Sequence, residues 1–84
     1  MVTPFPNPTD GELAILRVLW SRTAPMTVRE VHAVLSRGKE TAYTTVLKML
    51  TIMAEKRLVR RDESERSHTY RATHAEAVVQ ARLR

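Results

Sequence analysis

Three times in 84 residues a threonine is followed, three positions later, by a glutamate: Thr9 and Glu12, Thr27 and Glu30, Thr73 and Glu76. In such a pair the hydroxyl accepts from the glutamate's amide and the carboxylate accepts from the threonine's own amide. Two of the unsatisfied N–H groups at a helix start are thereby paired. Three helix starts are therefore marked before any periodicity is read. The spacing of apolar residues agrees with the first two. Leu13, Leu16, Leu19 and Trp20 share one face of a helix over Asp10 to Ser21, with Arg17 and Val18 pointing elsewhere. Ala24-Pro25-Met26 then breaks the pattern, because proline forces its predecessor towards extended geometry. Val28, Val31, Val34 and Leu35 form the stripe of the second helix, and Arg37-Gly38-Lys39 gives a short turn in which Gly38 suits a helix C-terminus.

A third helix is predicted from about Thr41 to Lys56. Ala42, Val46, Met49, Leu50 and Met53 converge on one side. Thr41, Thr44, Lys48, Thr51 and Glu55 occupy the other, flanked by Thr45, Leu47 and Ile52. After Leu58 the period shortens. Val59-Arg60-Arg61 and Ser67-His68-Thr69-Tyr70-Arg71 read as an antiparallel hairpin with a charged tip at Asp62-Glu63-Ser64-Glu65-Arg66. The third threonine–glutamate pair then opens a fourth helix that runs to the last residue. Residues 1–8 carry three of the four prolines and are expected to form an extended, poorly ordered lead-in.

Three helices, a hairpin and a further helix make a mainly α (α+β) fold, the winged helix-turn-helix. Its parts are three helices, a two-stranded β-hairpin wing and the start of a fourth helix. The domain is placed at residues 9–73 and the C-terminal helix at 74–84. The physical logic is local: the third helix needs one apolar face to dock on the first two, and its other face is free to enter a DNA major groove. Charge agrees with that destination. Fourteen Lys and Arg oppose nine Asp and Glu, for a net charge of +5 and a pI of about 10.5.

Other classes are excluded or disfavoured by composition. The absence of cysteine removes disulfides, thiolate metal sites and a cysteine nucleophile. The longest apolar run is four residues, Leu13 to Leu16, too short for a membrane span, and no secretory signal opens the chain. A cytoplasmic location is expected. His32, His68 and His74 share no ligand spacing, and the carboxylates form no paired constellation. The expected protein is thus no enzyme, with no cofactor and no metal. Trp20, Met49 and Met53 are assigned to the core. The candidate DNA-binding residues are Thr41, Tyr43, Thr44, Thr45 and Lys48 on the third helix and Arg60, Arg61 and Arg66 in the hairpin. Lys48 can reach a guanine edge or a phosphate, the threonines can meet phosphates or thymine methyls, and the arginines suit phosphates.

Glu12-Leu13 through Trp20, then Thr27-Val28-Arg29-Glu30-Val31, resemble the opening of the penicillinase-repressor family (BlaI and MecI, with the copper-responsive CopY branch). Ala42-Tyr43-Thr44-Thr45-Val46, continuing to Leu50 and Met53-Ala54-Glu55-Lys56, is similar to that family's recognition helix. Arg66 and Tyr70 are similar to its wing. The resemblance spans roughly residues 9–73. It implies a winged-helix transcriptional repressor of the antibiotic-resistance type, bound to a pseudo-palindromic double-stranded DNA operator as a homodimer. It also implies dimerisation through helices after the wing and, in some members, induction by proteolysis there. Metal sensing of the CopY kind is excluded by the lack of cysteine.

Three positions depart from the family pattern. Arg57 and Glu65 stand where many relatives carry glycine, and Ala72 stands where a proline often follows the wing tyrosine. The end of the third helix and the turn of the wing are expected to differ accordingly. The chain stops at Arg84, inside what resembles the first dimerisation helix. There Ala75, Val79 and Leu83 form a stripe with Val78 beside it. A stripe of three turns buries little, so a weak dimer or a monomer is expected of this chain, and a homodimer of the full-length protein. Two alternatives stay open: a winged-helix protein-interaction module using Leu47 and Ile52 or the fourth helix, and a DNA-binding regulator of MarR or ArsR type.

Overall fold

The computed structural model describes residues 8–82. Thr9 opens the first helix, α1 (Asp10–Trp20), with both halves of its capping box formed: the Glu12 amide donates to Thr9 Oγ1 at 3.2 Å, and the Thr9 amide donates to Glu12 Oε1 at 2.9 Å. Thr27 and Glu30 repeat the arrangement at 3.1 and 2.8 Å to open α2 (Val28–Gly38). Of the lead-in expected at 1–8, only Pro8 lies within the described residues.

The third box does not start a helix where the sequence predicts one. The final helix, α4 (Glu76–Arg82), begins instead behind Ala75, whose carbonyl accepts from the amides of Val78 and Val79. The Thr73 amide is already committed, donating to the Leu58 carbonyl at 3.1 Å as the chain leaves the sheet. A long-range backbone bond there outweighs the local capping preference.

The recognition-helix candidate, α3 (Tyr43–Glu55), is shorter than predicted at both ends. Ala42 is its N-cap, extended and exposed rather than part of the core, and Thr41 lies in the preceding turn. Gly38 does not take the left-handed conformation that suits glycine after a helix; Lys39 follows it in extended geometry. That conformation belongs to Arg57, with φ of 66°. The Arg57 amide donates to the Ala54 carbonyl and the Leu58 amide to the Met53 carbonyl, so α3 ends in the two-bond Schellman arrangement with an arginine in the glycine position.

The hairpin is one part of a larger sheet. Strands β2 (Val59–Asp62) and β3 (Thr69–Ala72) pair antiparallel, with Arg60 opposite Arg71 and Arg61 opposite Tyr70. A further strand, β1 (Met26–Thr27), pairs with the other edge of β3 through Met26 opposite Tyr70, giving the order β1-β3-β2. The two-stranded wing predicted from the sequence is formed by β2 and β3, and β1 extends it into a three-stranded antiparallel sheet. Pro25 directs the chain into extended geometry at that point, and β1 covers an edge that β3 would otherwise leave open.

Ile15, Leu16, Val31, Val46, Leu50, Met53, Leu58, Tyr70, Met26 and Val79 are the most deeply buried side chains. Helix α1 is packed by α2 and α3 and also by β3, so its buried arc is wider than one stripe. Ile15 is fully buried, and Val18, predicted to point away from the core, is buried too. Trp20 closes this side: its Nε1–H donates to the His74 carbonyl at 3.0 Å, tying α1 to the approach to α4.

Candidate nucleic-acid interface

Val46, Leu50 and Met53 dock α3 on the core, which leaves its opposite face to solvent. Tyr43, Thr44, Thr45, Leu47, Lys48 and Glu55 are exposed; Thr51 and Ile52 are half-buried. Thr51 spends its hydroxyl within the helix, donating to the Leu47 carbonyl at 2.9 Å. Lys48 takes part in no ion pair among the described residues. The first turn of α3 contains no acidic residue, and Ala42 contributes no side-chain cap. The positive end of the helix dipole is thus left without a countercharge on its own helix.

A cleft of about 450 Å³ opens beside this face. It is bounded by α3 through Tyr43 and Leu47, by the start of α2 through Arg29, and by the approach to β3 through Arg66 and His68. The fold therefore brings Tyr43 and Arg66 together, two residues the sequence singles out separately. It also adds Arg29 and His68, which sequence reasoning missed as interface residues. Arg29 could have been noticed as an exposed cation inside a capping box. Nothing local places the start of the second helix beside the wing.

The other hairpin arginines lie elsewhere. Strand alternation puts Arg60 and Arg71 on the face of the sheet opposite to Val59 and Tyr70, away from the cleft. Two like charges directly opposed there repel one another. Arg61 Nε donates to Glu63 Oε2 at 2.7 Å, so its charge is partly neutralised. The Tyr70 hydroxyl and the Glu63 carboxylate beside it raise the Arg61 pKa further above its ordinary value. Asp62 braces the tip by accepting from the Ser64 amide at 2.9 Å, and its hydrogen bonds with Ser64 lower its pKa. Thr41 and Thr45 line a different, more apolar concavity with Leu35, Ala42 and Met49.

Residues expected at a dimer contact are similarly divided. Val79 is 1% exposed and belongs to the core of its own chain, whereas Ala75 is exposed and Val78 is 47% exposed. Leu83 lies outside the described residues. No helix among the described residues is long and apolar enough to cross a membrane.

Comparison with known proteins identifies the family of the chain. The family model described as penicillinase repressor matches residues 8–83. Two curated relatives, each named transcriptional regulator BlaI, come from Mycobacterium tuberculosis strains CDC 1551 / Oshkosh and ATCC 25618 / H37Rv. Each is 46% identical over 65 residues, which is 77% of this chain and 47% of the relative. The chain thus spans about half the length of the curated relatives it matches. With helices, wing and family match in agreement over nearly all its residues, the chain belongs to the penicillinase repressor family.

Proposed function

We propose that this chain is the DNA-reading part of a transcriptional repressor, with α3 in the major groove of a pseudo-palindromic operator. The observation that carries this reading is the juxtaposition of an exposed, hydroxyl-rich face bearing Lys48 with a cleft lined by Arg29 and Arg66. The name of the mycobacterial relatives, transcriptional regulator, supports it. In B-DNA a phosphate backbone separates the major groove from the adjacent minor groove. A protein with its helix in one and its wing near the other must seat that backbone between them. The lining of the cleft by α3, α2 and the wing supports a phosphate seat there, with Arg29, Arg66 and Tyr43 as its donors.

Roles divide accordingly. Thr44, Thr45 and Lys48 meet base edges or thymine methyls and supply discrimination, while Arg29 and Arg66 hold phosphates and supply salt-dependent affinity, with the Tyr43 hydroxyl as a neutral phosphate donor. Thr41 acts from the preceding turn. Arg60 contributes to the positive field from the outer face of the sheet, and Arg61 does so less because of Glu63. The mechanism is occupancy of DNA, and no residue is assigned a catalytic step. A homodimer of this repressor joins two reading heads through α4, with the exposed Ala75 and Val78 at the contact and Val79 bracing the helix from inside. Joining raises operator affinity through effective concentration. Such a regulator works in the cytoplasm.

Selection of bound duplexes from random DNA, followed by fluorescence anisotropy, tests the proposal. Enrichment of a defined half-site is expected, with weaker discrimination in Lys48→Ala and Thr44→Ala. An unenriched pool with negligible retention even at low salt would overturn it in favour of a protein-interaction module.

A further inference from the structure

The start of α3 has no cap of its own, and it is held from another helix. His32, in the second turn of α2, places its Nε2 2.7 Å from the Thr41 carbonyl oxygen. A carbonyl oxygen only accepts, so the ring carries a proton on Nε2 and donates it there. Ser36, one turn further along α2, sets its hydroxyl 3.2 Å from the same nitrogen. On the other side of Ala42 the imidazole meets the Tyr43 ring edge-on, with centroids 5.7 Å apart and planes at 69°. One side chain thus contacts the residues before and after the N-cap of α3. The turn is closed independently by Thr41 Oγ1, which donates to the Lys39 carbonyl at 3.0 Å.

His32 is only half-buried and lies outside the apolar core. Its contacts therefore serve the pose of α3 more than the stability of the domain. Lys48 lies five residues beyond Tyr43, about 7.5 Å along the helix axis. A small tilt at the first turn is carried to every side chain on the reading face. Functional geometry of this kind tolerates displacements of only about 0.5 Å or 10–20°.

We propose that His32 is a positioning residue for sequence discrimination. Through the Thr41 carbonyl and the Tyr43 ring it fixes the angle at which α3 meets base edges, leaving the salt-dependent backbone affinity to the arginines. This rests on the DNA-binding reading above. The pair of contacts also makes a division of labour testable: the N–H donor and the aromatic ring are separable by substitution.

The experiment measures the Kd of the intact chain for its selected site and for random duplex, across a salt series. The variants are His32→Ala, His32→Phe, which keeps the ring, and His32→Gln, which keeps a donor. His32→Ala is expected to lower the specific-to-random ratio about tenfold, comparable with loss of one base contact. Its affinity for random duplex and its salt slope should stay within twofold of wild type. His32→Phe and His32→Gln should each recover part of the ratio, and amide chemical-shift changes should centre on residues 39–45. A ratio within twofold of wild type in His32→Ala overturns the positioning role while leaving DNA binding intact. If His32→Ala does not fold, full discrimination in both of the other variants overturns it equally. A wild-type chain without any site preference defeats the underlying DNA-binding reading, and this inference with it.

Discussion

The Lys56 ammonium at the end of α3 lies 3.0 and 3.2 Å from the two carboxylate oxygens of Glu12 in the first turn of α1. Glu12 is only 4% exposed, and the same carboxylate accepts the Thr9 amide of its capping box. One acidic side chain therefore starts α1 and fastens it to the opposite end of α3. Both charges also sit at favourable ends of their helices, the acid at an N-terminus and the base at a C-terminus. Burial pushes the Glu12 carboxyl up, but the Thr9 hydrogen bonds and the Lys56 ammonium outweigh it, and its pKa lies below the ordinary value.

That direction sets a pH dependence. A carboxyl whose pKa is lower in the folded state stabilises the fold fully above its unfolded value. The contribution is lost as pH falls through the folded value. Glu12→Gln is expected to cost about 1–2 kcal/mol at neutral pH, at the low end because the Lys56 side chain is 34% exposed. The gap between wild type and variant should narrow in thermal melts at acid pH. A gap that is unchanged by acid would rule out the charge-based account.

Arg57 holds the left-handed conformation with a φ of 66°, which costs a residue bearing a Cβ about 1–2 kcal/mol relative to glycine. Glycine gives back part of this through its larger unfolded-state entropy. Arg57→Gly should therefore stabilise the domain by about 0.5–1 kcal/mol, read as a higher denaturant midpoint at unchanged slope. Arg57→Val should lower that midpoint, because a β-branched side chain fits this conformation poorly.

Neighbouring valines on α4 should behave oppositely. Val79→Ala is expected to destabilise by about 1–2 kcal/mol through lost burial and a residual cavity. Val78→Asp, on the exposed side, should leave monomer stability within about 0.5 kcal/mol. Trp20→Phe removes the hydrogen bond to His74 and should speed hydrogen exchange at the Val78 and Val79 amides. Equal sensitivity of the two valines in chemical denaturation would contradict the packing of α4.

Salt titrations separate the arginines. If the cleft seats a phosphate, Arg29→Ala and Arg66→Ala should each flatten the dependence of log K on log salt by about one unit, nearly alike for all sequences. Arg61→Ala should change it less, since Glu63 already takes its charge. An unaltered slope for Arg29→Ala would remove α2 from the interface.

Local signals were legible in the chain. The boxes at Thr9 and Thr27, the core face of Val46, Leu50 and Met53, and the extended segments flanking the charged hairpin tip depend on residues within a turn or a strand of one another. A side chain three residues away is near whatever the rest of the molecule does. The end of α3 was legible as a departure from the family pattern, but only the structure revealed that Arg57 accepts the left-handed geometry rather than abandoning it.

What the sequence by itself determined is the existence and order of most elements and which face of α3 is free. Tertiary structure decided the rest, because those outcomes depend on partners far along the chain. β1 exists because β3, more than forty residues later, offers it an edge. Thr73 forgoes its capping box because Leu58 has taken its amide. Val18 is buried because α1 is covered by α2, α3 and β3 together, a wider arc than helix periodicity alone assigns. Arg29 joins Arg66 at the cleft, and His32 reaches across to α3, only when α2 is packed against them. Periodicity reports how a segment would like to be covered; only packing decides what covers it.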